Sequence, residues 1–139
     1  MPLLDSEIQA GCVAYFDITT LNADTRVSRP RCPTTRPSPF VCFESANDRS
    51  AWAPITTQFR KERLFLDPLW RVGGSKQWRT DHLYLNDGAC TYVGTNAAFV
   101  DSAATETPFM KISRPRLTAD GVAAVVAELR QRRGTMLEK

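Results

Sequence analysis

A mainly β domain closed by a C-terminal helix is what this sequence predicts, and three observations carry the expectation. Short runs of strand-forming residues recur through the middle of the chain, at 12–18, 40–44, 52–58, 63–66, 82–85 and 91–93. Turn signatures fall between them, Asn47-Asp48-Arg49 and Gly73-Gly74-Ser75 above all. Only the end of the chain changes period: Val122, Val125, Val126 and Leu129 recur at i, i+3, i+4 and i+7. Several short strands at close spacing predict a small barrel or a sandwich.

The first run follows Gly11 and is almost continuously apolar from Cys12 to Phe16, as expected of a strand covered on both sides. Residues 19–39 then hold four prolines and four arginines with no apolar period, which predicts a long loop. Loops of that length inside a small domain are more often functional than accidental. The run at 40–44 and the segment Trp52-Ala53-Pro54-Ile55-Thr56-Thr57-Gln58 flank the Asn-Asp turn and predict a hairpin. Residues 63–66, 82–85 and 91–93 are expected as further short strands. Thr118 stands where a helix N-cap belongs, Asp120 complements the first turn, and Arg130, Arg132 and Arg133 load the last turn before Gly134. That predicts a helix over 119–133, its valine face lying as a lid on the barrel.

With 139 residues the chain is one domain, its core expected at about 11–133. A 42% apolar and 24% charged composition is that of an ordinary globular protein. The net charge of +3 permits a nucleic-acid partner without requiring one. Cysteines 12, 32, 42 and 90 form no C-x-x-C pair, and the single His82 completes no zinc pattern, so neither metal nor cofactor is expected. The start has no charged-then-apolar leader and no apolar run reaches membrane-spanning length. Reduced thiols and a cytoplasmic location are the expectation.

The usual catalytic signatures are missing: no phosphate loop, no G-x-S-x-G elbow, no H-E-x-x-H. Gly73-Gly74-Ser75-Lys76 lacks the upstream glycine of a phosphate loop and reads as a turn. What stands out is an arginine- and proline-rich loop, a strand ending on Thr56 and Thr57, and the cations Arg60, Lys61 and Arg63 just after it. Hydroxyl and guanidinium donors together suit a phosphodiester, because the planar guanidinium fork grips two phosphoryl oxygens. RNA cleavage needs no water nucleophile, since the neighbouring 2′-hydroxyl attacks phosphorus. The protein has to move two protons and stabilise phosphoryl charge.

In their order these features resemble the PemK/MazF family of toxin components of bacterial toxin–antitoxin systems. Gly11, Val13 and Asp17 match its opening G-x-V-x-x-x-D, and Arg36-Pro37 precedes an apolar strand as the family's Arg-Pro does. Pro54-Ile55-Thr56-Thr57-Gln58 matches its P-x-T-[TS] element, while Arg116-Leu117 and Gly121 stand at its closing helix. The resemblance implies an SH3-like barrel, usually a homodimer, that cuts single-stranded RNA without a metal and is neutralised by an antitoxin peptide. It places Arg36 on the scissile phosphate and Thr57 as its donor, with Asp87 or His82 assisting proton transfer. Thr56, Gln58, Arg29 and Arg60 are the expected substrate contacts.

The sequence also departs from that pattern. Arg29-Pro30 competes with Arg36-Pro37 for the motif position, and the acid of the family's G-x-E-x-x-x-x-R-P loop is missing. Where some members carry a catalytic arginine two positions before the aspartate, this chain has Leu85. Three readings follow: an endoribonuclease toxin, the same barrel binding nucleic acid or protein without turnover, and an unrelated small β domain.

Overall fold

The computed structural model describes residues 3–28, 30, 33–35, 38–86, 91–104, 109 and 113–133. Its centre is the hairpin of β3 (Pro39–Ala46) and β4 (Arg49–Thr56). Asn47 and Asp48 close the turn at φ 53° and 65°, a left-handed pair that short polar side chains tolerate. β1 (Val13–Tyr15) pairs with the outer side of β3, Val13 opposite Val41. On the other side β4 pairs first with β7 (Tyr92–Thr95) and then with β6 (Tyr84–Leu85); β2 (Val27–Ser28) lies beyond β7. All these pairings are antiparallel, making a six-stranded sheet. A second pair, β5 (Arg71–Val72) with β8 (Arg116–Leu117), is joined to it through a bridge from Arg116 to Cys12.

The mainly β architecture with a C-terminal helix is thus present, but among the described residues the sheet does not close into a barrel. Strand periodicity supplies the reason. Cys12, Ala14, Phe16, Phe40, Cys42 and Trp52 point into one buried cluster; Val13, Val41, Ala53 and Ile55 point into another. Successive side chains leave opposite faces of a strand, so both faces of the sheet are buried. Helices α1 (Ile18–Ala23) and α3 (Asn96–Ser102) supply Ile18, Leu21, Ala98 and Phe99 to the first cluster. Helix α4 (Ala119–Arg133) supplies Val125 and Leu129 to the second, joined by Trp78 of α2 (Lys76–Thr80). α4 spans the residues the valine spacing predicts, and Thr118 Oγ1 accepts from the Gly121 N–H at 3.3 Å as its cap.

Elsewhere the elements differ from expectation. The first strand stops at Tyr15, because Asp17 accepts the Thr20 N–H at 3.1 Å and starts α1. The expected long loop therefore contains a helix and β2. Residues 63–66 form no strand; they contribute a single bridge, Phe65 to Tyr84. Ser75 caps α2 just after the expected glycine turn, its Oγ accepting from Trp78 N–H at 3.4 Å.

Pro54 sits inside a central strand without cost to the β3 ladder. Its carbonyl accepts from Asn86 N–H at 2.9 Å, and the N and O of one strand residue point to the same side. The missing N–H therefore falls at the hand-over from β7 to β6, not towards β3. Gly11, at φ +101°, lies so close to β8 that a Cβ would sit 2.5 Å from Leu117 O. Gly121 lets α4 approach Trp70, where a Cβ would stand 2.7 Å from that side chain's Cβ.

The lead into β1 is anchored by one ion pair. Glu7 Oε1 lies 3.0 Å from Arg114 Nη2, and Arg114 is buried. Burial alone pushes the Glu7 carboxyl up, but hydrogen bonds from Arg114 and the Leu4 N–H, with the arginine charge, hold it below its ordinary value of 4.5. A depressed carboxyl contributes stability above its unfolded pKa and loses it as pH falls through the folded one. Glu7→Gln is expected to cost about 1–2 kcal/mol at neutral pH and much less in acid. Urea midpoints at neutral pH and well below pH 4.5 check this; parallel acid limbs for parent and variant would exclude it.

The thiols of Cys12 and Cys42 are free and buried, and burial pushes them up to about 11 and 12. Cysteines so placed are packing residues, protected from ionisation and hence from thiolate chemistry. Cys32, Cys90 and Gly134 lie outside the described residues.

Candidate functional site

Where β4 ends, the chain borders a cleft of about 790 Å³. Ile55, Thr56, Thr57 and Gln58 form one side of it and Thr34, Thr35, Ser38 and Pro39 another. Arg63, Gln77, Asp81 and Asn86 complete the polar rim, with Leu83, Tyr15 and Phe109 as its apolar lining. The strand-end threonines thus lie on the same cavity as residues on both sides of Arg36-Pro37.

Each wall has its own fastening. At the threonine end, Thr56 Oγ1 accepts from the Gln58 N–H at 3.1 Å, turning the chain out of the sheet. Thr57 is exposed, and its hydroxyl has no partner among the described residues. Arg63 reaches back over this turn, donating to Gln58 O at 2.9 Å and to Asn86 Oδ1 at 3.1 Å. One guanidinium therefore ties the segment after β4 to the end of β6. On the opposite wall Tyr92 Oη donates to Asn22 Oδ1 at 2.6 Å and accepts from Thr34 N–H at 2.9 Å. Asn22 Nδ2 closes the triangle on Thr34 O at 3.0 Å, fixing this part of the expected loop to α1 and β7.

The chemistry on offer is neutral donors beside a cation. Thr34 Oγ1 and Ser38 Oγ are buried in the cleft wall without a hydrogen-bond partner among the described residues. Buried hydroxyls normally find one, so two orphans in a cavity wall are groups able to serve an oxygen-rich guest. Together with Thr57 and Arg63 they make a site suited to phosphoryl oxygens. Asp81 is the carboxylate on the rim.

Of the residues singled out from sequence, Thr56, Thr57 and Gln58 come together in the cleft. Arg60 is exposed and does not line it; the cation that does is Arg63, three residues on. His82 is also outside, its ring 6.1 Å from that of Phe65 on the neighbouring surface. Arg29, Arg36 and Asp87 lie outside the described residues. Leu85 is buried at 1% exposure in the second cluster, opposite Ile55. Sequence reasoning missed Asn22, Tyr92, Asp81 and Arg71, whose roles depend on partners remote in sequence. Among the described residues no group of three His, Cys, Asp or Glu is placed to hold a metal ion, and no helix is long and apolar enough to cross a membrane.

No protein-family model, no curated protein and no solved structure matches the chain.

Proposed function

We propose that the cleft binds single-stranded RNA and that the chain is a cytoplasmic endoribonuclease toxin, opening the phosphodiester by attack of the adjacent 2′-hydroxyl. The observation that carries this reading is the meeting of Thr56, Thr57 and Gln58 with residues 34, 35 and 38 around one cavity rimmed by Arg63. In this reading the sheet is an opened relative of the SH3-like barrel. Arg36 clamps the scissile phosphate, Thr57 donates to it, and Arg63 balances charge as the phosphorus becomes pentacoordinate. Asp87 remains the carboxylate the resemblance assigns to proton transfer, and Asp81 stands on the rim of the cleft. An antitoxin peptide covering the groove, and a homodimer, complete the proposal.

Leu85 favours a second reading, in which the same cleft binds RNA without turnover. A buried aliphatic side chain occupies the position where some family members have a catalytic arginine.

Incubation of the purified chain with a long single-stranded RNA in EDTA separates the two. Discrete cuts are expected from the parent, with cleavage slowed about 100-fold or more in Arg36→Ala and Thr57→Ala. RNA that stays intact yet shifts on a gel, with an affinity falling as salt rises, would leave the binding module. RNA neither cut nor shifted would end both readings.

A further inference from the structure

Beside the cleft, four aromatic rings form a row on the surface. Phe59 and Tyr84 have centroids 5.6 Å apart, Tyr84 and Phe65 5.6 Å, and Phe65 and His82 6.1 Å. The row is assembled from three places in the sequence: the segment leaving β4, the bridge residue Phe65, and β6 with the residue two before it. It is also unusually open. Phe59 is 71% exposed and Phe65 40%. A phenylalanine left this bare forgoes much of the roughly 2 kcal/mol that burial gives such a side chain.

Two further observations say what the row is for. The first is charge. Arg60 and Lys61 follow Phe59 directly and are exposed, and within residues 60–63 they and Arg63 outnumber the acid Glu62. Rings interleaved with cations match a strand that alternates flat bases with phosphates. Protein–protein interfaces are instead depleted in lysine and glutamate, and Lys61 and Glu62 stand beside these rings. The second is continuity. Gln58 and Leu83 line the cleft, and their chain neighbours Phe59, His82 and Tyr84 are in the row. The row therefore starts at the lip of the cavity. Phe65 is held firmly there, because the Arg71 guanidinium lies 6.0 Å from its ring centroid and is itself fixed by backbone carbonyls.

We propose that Phe59, Tyr84, Phe65 and His82 form a base-stacking platform for the single-stranded RNA that runs out of the cleft, with Arg60 and Lys61 on its phosphates. The platform rests on the RNA reading of the cleft, and it extends the substrate contacts beyond the cavity. It also changes the meaning of His82, which acts here as a stacking surface and not as a proton carrier. Because every base has a π-face, the platform binds without strong sequence preference.

The test uses a fluorescently labelled single-stranded RNA made uncleavable by 2′-O-methylation, titrated by anisotropy between about 50 and 200 mM salt. Phe59→Ala is expected to weaken binding about 5- to 100-fold, the range seen when a stacked base loses its ring. Phe59→Trp keeps a π-face and is expected to bind as the parent does, whereas Phe59→Leu keeps apolar area only and is expected to weaken it. The double variant Arg60→Ala/Lys61→Ala is expected to flatten the salt dependence, by about 0.7 in the log–log slope for each phosphate it no longer neutralises. Urea unfolding of each variant identifies any loss that is due to misfolding. If the parent binds and Phe59→Ala and Phe59→Leu bind as tightly as the parent, the platform is wrong while the RNA reading stands. Unchanged affinity with an altered sedimentation mass would make the row a protein interface and overturn the proposal. A parent that binds no RNA ends the reading of the cleft and the platform with it.

Discussion

Trp52→Ala is expected to cost about 3–5 kcal/mol of stability, the range for deleting a large buried aromatic side chain. Trp52 is fully buried on the face of β4 turned away from the cleft. Its ring meets Phe16 edge-on at 5.0 Å and Phe99 at 5.5 Å, and its Nε1–H donates to Ser50 Oγ at 2.9 Å. Phe16 in turn contacts Phe40 at 5.4 Å, so the deletion opens a cavity bordered by rings from three separate stretches of the chain. Close-packed surroundings relax only partly into such a space. Trp52→Phe keeps most of the volume but orphans Ser50, and about 1–2 kcal/mol is expected. Denaturant unfolding measures both. Because neighbouring Ile55 faces the other cluster and the cleft, Trp52→Phe is expected to leave RNA affinity unchanged while lowering the unfolding midpoint. A milder loss for Trp52→Ala than for Trp52→Phe would contradict this account of the core.

That the strand carrying Trp52 is also the one carrying Thr56 and leading into Thr57 explains what was legible in the sequence. The hairpin could be read because the Asn-Asp turn and the flanking apolar runs are local signals. Helix α4 could be read because its cap, its apolar period and its first-turn acid all agree. The site was half legible. Thr56, Thr57 and Gln58 belong to one continuous motif, so their placement together needed only the strand. Arg63 was hidden behind Arg60 and Lys61, since nothing local says which of three neighbouring cations turns back towards Gln58 and Asn86. The short helices α1 and α3 were hidden for another reason. Each has only one or two turns, and too few apolar positions to show a helical period. Their caps, Asp17 and Thr95, were visible, but threonine, aspartate and asparagine are common in turns as well. That the sheet does not close into a barrel among the described residues could not be foreseen, because near-continuous apolar runs fit either a small barrel under a lid or a sheet buried on both faces.

Arg71→Met is expected to cost about 3 kcal/mol or more and to loosen the cleft wall together with the fold. Arg71 is only 4% exposed, yet its guanidinium is held by main-chain carbonyls. Nη1 donates to the carbonyls of Trp78 at 2.9 Å and Asp81 at 2.5 Å, and Nη2 to that of Leu66 at 2.6 Å. Burial pulls its pKa below the ordinary guanidinium value, while the charges of Asp81 and Asp67 push the other way. The planar fork, with the Phe65 ring at 6.0 Å and the Trp78 ring at 5.9 Å, holds three chain segments in fixed relation. Methionine retains the stem's apolar packing but leaves three carbonyls without a donor, each worth about 1–3 kcal/mol if it stays dry. Arg71→Lys restores the charge, but its compact ammonium cannot span the same acceptors, and an intermediate loss is expected. Gln77, Asp81 and Leu83 all lie on the cleft and in or beside the segments so fastened. The same variants should therefore weaken RNA binding even at temperatures where they remain folded. Unfolding curves in urea, paired with RNA affinity measured well below the melting midpoint, separate the two effects. A loss of stability below about 1 kcal/mol would mean that water reaches these carbonyls once the guanidinium is gone, and the wall would then owe its position to the packing of Trp78 and Leu83 instead.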